Sequence, residues 1–161
     1  MTLSSAIALA VSFVVTFAAA STGAAFRPGA WYAALRKPAW TPPNWAFPVV
    51  WSVLFTGMAL SAWLVWEAAG PAALPALVLY GAHLVVNAVW SVLFFGLKRL
   101  DWAMVEVICL WLMIAAVIAA FAPLSLPAAL LLAPYLLWVS VAATLNFALL
   151  RLNGARGPTL A

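Results

Sequence analysis

The sequence predicts an all-α integral membrane protein, a bundle of five transmembrane helices with a Pro/Trp-rich loop between helices 1 and 2. Three observations carry this prediction. Of the 161 residues, 69% are hydrophobic and only 6% are charged, whereas soluble domains carry about 25% charged residues. Residues 3–26, 38–66, 68–97 and 107–150 contain no Asp, Glu, Lys or Arg. The seven basic residues also fall into a few short clusters between the apolar runs. Such a composition excludes a soluble globular enzyme, a disordered chain and a nucleic-acid binder, because it cannot build a water-facing surface.

Each helix follows from length and punctuation. A helical span needs roughly 20 apolar residues, while barrel strands alternate in polarity over about 10, and no such alternation is present. The last charge-free run is more than twice as long as one crossing requires, so Pro123 and Pro127 around Leu124–Leu126 mark a turn. The predicted helices cover about 3–25, 44–66, 72–96, 101–121 and 127–150 of a single domain, 1–161. Helix 2 starts at Asn44 as N-cap, after Pro42-Pro43 and with Pro48 close to its first turn. The tail Asn153–Ala161 reads as frayed. The first segment lacks a preceding Lys or Arg and is long, so it reads as a span rather than a cleaved signal.

Five spans place Arg27, Arg36, Lys37, Lys98, Arg99, Arg151 and Arg156 all on one side of the membrane. The positive-inside rule then puts loop 27–43 and the C-terminus in the cytoplasm and the N-terminus outside. The single cysteine, Cys109, excludes an intrachain disulfide.

Loop 27–43 holds Pro28, Pro38, Pro42 and Pro43 together with Trp31, Tyr32 and Trp40. Two readings fit that composition: an aromatic belt at headgroup level, or a proline-stiffened cover folded over the bundle mouth. Inside the spans, His83, Asn87 and Trp90 share one helix face. Trp138, Ala142 and Asn146 form a second stripe at i, i+4 and i+8, and Trp51 and Phe55 a third. Turned inward, the stripes enclose an aromatic cavity suited to flat apolar ligands; turned sideways, Asn87 and Asn146 bridge helices. Glu106 is expected to pair with a cation of an adjacent loop, a proton relay being the alternative. His83 is either a haem ligand or a helix-to-helix hydrogen bond. No metal-ligand cluster, catalytic Ser/His/Asp set or phosphate loop is visible.

The string Trp31-Tyr32-x-x-Leu35-x-Lys37-Pro38-x-Trp40-x-Pro42-Pro43 resembles the signature of the TspO/translocator protein family. The same family is known as the peripheral-type benzodiazepine receptor or tryptophan-rich sensory protein. The match continues through Phe47-Pro48-x-x-Trp51, Met58, Asn87-x-x-Trp90, Phe94-Phe95-Gly96, Pro134-Tyr135-x-x-Trp138 and Thr144-Leu145-Asn146. The resemblance implies a five-transmembrane-helix bundle whose Pro/Trp-rich lid loop closes a pocket for protoporphyrin IX, haem, drug-like apolar molecules and, in some members, sterols. Carried over, the pocket residues are Tyr32, Pro42, Trp51, Phe55, Asn87, Trp138, Ala142 and Asn146. No cofactor or metal is required; porphyrin is the ligand, and the partners are the lipid bilayer and a second copy in a homodimer. Small residues on helix 3 (Gly81, Ala88, Gly96) or on Ala-rich helix 1 would serve the dimer face. The alternatives are light-dependent porphyrin degradation with Trp51 and Trp138 as catalytic residues, porphyrin or sterol transport, and a structural dimer with an incidental cavity. The sterol motif is represented by Leu145, Phe147 and Arg151, with Phe147 standing where the pattern has Tyr and Val139-Ser140-Val141 replacing Leu-Ala-Phe. Weak sterol binding is therefore expected.

Overall fold

The computed structural model describes residues 2–26 and 28–158, and among these there is no β-strand. The element order is α1 (Leu3–Ala25), α2 (Ala30–Ala34), α3 (Ala46–Ala69), a 3₁₀ turn (Gly70–Ala73), α4 (Leu74–Ser91), a π turn (Val92–Gly96), α5 (Leu100–Phe121), α6 (Leu126–Leu131) and α7 (Ala133–Asn153). Four stretches are long and apolar enough to cross a membrane: Leu3–Ala25, Ala46–Gly96, Leu100–Phe121 and Leu126–Asn153.

The second stretch has 51 residues. As one straight helix it would span about 77 Å, against a hydrocarbon core of roughly 30 Å. It does not run straight. Gly70 takes φ 51° and ψ −131°, a conformation essentially reserved for glycine. Beyond it Pro71 opens a 3₁₀ turn, and Met58 and Val65 of α3 share one core with Tyr80 and Leu84 of α4. Gly70→Val is expected to lower stability by about 1–3 kcal/mol, read as a drop in thermal midpoint in detergent. Gly81→Ala, where an added Cβ meets nothing within 4 Å, is the control expected to hold or raise it.

Several boundaries differ from the sequence reading for local reasons. The second long helix starts at Ala46 with no side-chain cap, because Asn44 and Trp45 are used in a turn closed by Ala46 N donating to Pro43 O at 2.9 Å. The final helix is two pieces, capped by Ser125 and interrupted at Leu132, where Pro134 sits in the first turn of α7 and has no N–H to continue the ladder. Residues 153–158 are tied to the rest of the chain rather than frayed: Leu100 N donates to Ala155 O at 2.8 Å and Trp31 Nε1 to Arg156 O at 3.0 Å. The remainder of the tail, residues 159–161, and Arg27, counted in the charge partition, lie outside the described residues.

Two clusters make the core. The larger joins α3, α4, α5, α6 and α7 around Met58, Ile114, Val117, Phe121 and Tyr135. The smaller one, at one end of the bundle, joins Trp31, Tyr32 and Leu35 of the first connection to Phe94, Leu100 and Leu149. Buried hydroxyls are satisfied across helices, as an apolar surround demands: Thr16 and Tyr80 at 2.6 Å, and Ser61 donating to Ala128 O at 2.7 Å.

Candidate functional site

A cavity of about 680 Å³ lies within the bundle, within the range of small-molecule sites. Its walls come from α1, α3, α4, α5 and α7, and its end from the first connection through Pro28, Tyr32 and Asn44. The aromatic rings brace one another. Trp51 stacks on Phe55 at 5.2 Å and 29° and meets Tyr135 edge-on at 6.0 Å. Trp138 takes Phe47 edge-on at 5.8 Å, and Trp90 stacks on Phe94 at 4.7 Å. Such contacts hold large flat faces in fixed positions before any ligand arrives.

Of the eight pocket residues carried over from the resemblance, Tyr32, Trp51, Phe55, Asn87, Trp138 and Ala142 line this cavity. Asn146 does not. It borders a separate void of about 20 Å³, shared with Tyr32 and Ala142, and its amide donates to Leu100 O at 2.9 Å. Pro42 is not among the residues lining either void. Asn87 does both of the things open to it: it lines the cavity, and its Nδ2 donates to the Tyr135 hydroxyl at 2.8 Å.

The first connection divides between its two readings. Trp31 and Tyr32 are buried, while Trp40 and Trp45 are 50% and 70% exposed. Burial raises the Tyr32 phenol above its ordinary value, so it remains a donor at neutral pH. The Lys37 ammonium lies 4.6 Å from the Tyr32 ring centroid and donates to Ala33 O and Leu35 O at 3.1 and 3.2 Å. The Asn153 side chain clasps the backbone of Arg36, accepting from its N at 2.8 Å and donating to its O at 2.9 Å.

Other sequence expectations need correction. Glu106 is buried, but neither carboxylate oxygen has a hydrogen-bond partner; the ion pair among the described residues is Arg99–Asp101, at 2.6 Å. His83 is not a lining residue of either void, and it makes no helix-to-helix hydrogen bond: its Nδ1 is 2.7 Å from Tyr80 O of its own helix, α4, and its Nε2 has no partner among the described residues. Leu145 faces the core, whereas Phe147 and Arg151 face outward, so the three sterol-motif residues do not share a face. Gly96, considered for a dimer face, is occupied within the chain: an added Cβ would come within 2.9 Å of Phe26.

Sequence reasoning missed the contribution of α1. Phe17, Ala19, Ala20, Thr22 and Gly23 line the cavity, as do Val107 and Leu110 of α5. The available signal was size: Ala19 and Gly23 at i, i+4 leave room beside a helix that carries few large groups on that face.

Fold and site define a multi-pass membrane protein with an aromatic cavity inside its helical bundle. Residues 6–152 match the model of the TspO/MBR family. The chain belongs to that family. It is 42% identical to the protein CrtK of Rhodobacter capsulatus over 151 residues, covering 92% of this chain and 94% of that one. It is 41% identical to the tryptophan-rich sensory protein of Cereibacter sphaeroides over 150 residues, again 92% and 94%. The human translocator protein is 39% identical over 131 residues, 79% of this chain and 78% of its own.

Proposed function

We propose that this chain is a membrane receptor or sensor that binds a tetrapyrrole such as protoporphyrin IX or haem, or a drug-like apolar molecule of similar shape, in the 680 Å³ cavity. The observation that carries the reading is the wall itself: Trp51, Trp90 and Trp138 with Phe55 and Phe95 among mostly apolar neighbours, and a minority of polar residues, Thr22, Tyr32, Asn44, Ser52, Asn87 and Ser91. Large ring faces suit a flat, extended π-system, because stacking tolerates sliding while a few hydrogen-bonding groups set orientation. In this reading the break at Gly70 separates two crossings, giving five in all, and the first connection is the lid of the pocket. Relatives bearing the names sensory protein and translocator support a signalling or transfer role. Sterol binding is weak, in keeping with Phe147 and the split motif.

Titration of the purified protein with protoporphyrin IX, followed by Trp quenching, is expected to saturate at about one per chain. Absence of saturable binding would overturn the reading. Illumination of the complex addresses the second reading, favoured by two indoles that line the cavity, Trp51 and Trp138, since indole can donate an electron to an excited tetrapyrrole. Bleaching to a defined product in the native protein but not in Trp51→Phe or Trp138→Phe would make it an enzyme; a surviving spectrum leaves a receptor.

A further inference from the structure

We infer that the cationic end of the bundle, around the clasped first connection, is a binding site for an anionic phospholipid headgroup. Four exposed cations, Arg36, Lys98, Arg151 and Arg156, come from stretches far apart in sequence. Backbone geometry gathers them. Asn153, two residues beyond Arg151, holds Arg36 through both of its backbone groups. Arg156 is anchored through its carbonyl by the Trp31 indole. Ala155 is held by Leu100 N, two residues from Lys98. The nearby acid, Asp101, is engaged by Arg99. Glu67 stands near the far end of α3 and Glu106 is buried, so the four charges have no acidic partner among the described residues.

The depth of the site identifies its occupant. It lies where α3 begins, where the π turn closes and where α7 ends, which is the boundary of the apolar stretches. Exposed Trp40, Trp45 and Trp102 belong to the same end, with the Arg99 guanidinium 5.9 Å from the Trp102 ring centroid. Interfacial tryptophans mark headgroup level. Arg151 lies 5.8 Å from the Phe147 ring centroid, its stem along the apolar face and its charge toward the interface. A phospholipid phosphate occupies that depth and complements the charge; a soluble acidic protein would have to enter the headgroup layer to reach it.

Spin-labelled phosphatidylglycerol and phosphatidylcholine, each at low mole fraction in phosphatidylcholine bilayers holding the full chain, test this through the motionally restricted fraction of label. Phosphatidylglycerol is expected to associate roughly fivefold or more strongly at low salt, with the preference falling toward one in about 1 M salt, where the Debye length is about 3 Å. The variant Arg36→Gln/Lys98→Gln/Arg156→Gln is expected to lose the preference. The clasp uses the backbone of Arg36 and Arg156, so the variant keeps its helix content and thermal midpoint. Equal association of the two lipids with the native chain overturns the inference, as does a preference that survives in the folded variant. Salt-sensitive binding of soluble polyglutamate without any lipid preference also overturns it, in favour of an acidic protein partner.

Discussion

Tyr135→Ala is expected to lower stability by about 3–5 kcal/mol and to open the floor of the cavity. Tyr135 is fully buried at the junction of the core and the site. It backs Trp51 edge-on at 6.0 Å, lies 5.7 Å from the His83 ring and accepts the Asn87 amide at 2.8 Å. In a lipid surround the lost term is packing rather than exclusion of water, since lipid tails are as apolar as the core. Tyr135→Phe keeps the ring and removes the acceptor, leaving Asn87 Nδ2 unpaired in the interior at a cost of about 1–3 kcal/mol. Unfolding of the three proteins in one detergent, followed by circular dichroism, gives both differences. An alanine variant as stable as the native chain would remove Tyr135 from the core.

The second large effect concerns affinity. Trp51→Ala and Trp138→Ala are each expected to weaken protoporphyrin binding about tenfold, and the pair about a hundredfold. An aromatic contact contributes roughly 1 kcal/mol beyond the area it covers, and the lost area adds to that. The two rings have separate supports: Trp51 rests on Phe55 and Tyr135, Trp138 on Phe47. Their losses should therefore add. A double variant within threefold of the native affinity, by the same quenching titration, would move the ligand out of this cavity.

Much of the site was readable because aromatic and amide residues are conspicuous in an apolar chain. Trp51 with Phe55, Asn87 with Trp90, and Trp138 with Ala142 lie at one-turn spacings, and all six line the cavity. Asn146 belongs to the last of these stripes, yet it borders the smaller void and caps the Leu100 carbonyl at the start of α5. Spacing along one helix places a residue on a face; it does not say which neighbouring helix ends opposite that residue. Glu106 shows the same limit, since its spacing suggests a loop cation within reach, and the Arg99 side chain is instead turned to Asp101.

The wall supplied by α1 was hidden for a different reason. In water, an apolar face marks what a helix buries; here Val11, Val14, Val53, Val85 and Leu137 are exposed and are as apolar as Met58 or Val117 within the core. With lipid as solvent, hydrophobic periodicity loses its power to orient a helix.

From composition and charge spacing alone, the sequence determined that the chain is helical, that its long apolar runs are cut by charged and proline-rich connections, and that its basic residues cluster between them. These follow from a solvent rule: no unpaired backbone group is tolerated in hydrocarbon. Tertiary structure alone decided that small residues of α1 close one wall of the cavity, that Asn146 bonds across to α5 rather than lining the cavity, and that residues 153–156 clasp the first connection across more than a hundred positions of sequence. Each of those depends on which surfaces meet, and in an apolar chain that choice rests on van der Waals fit and a few cross-helix hydrogen bonds.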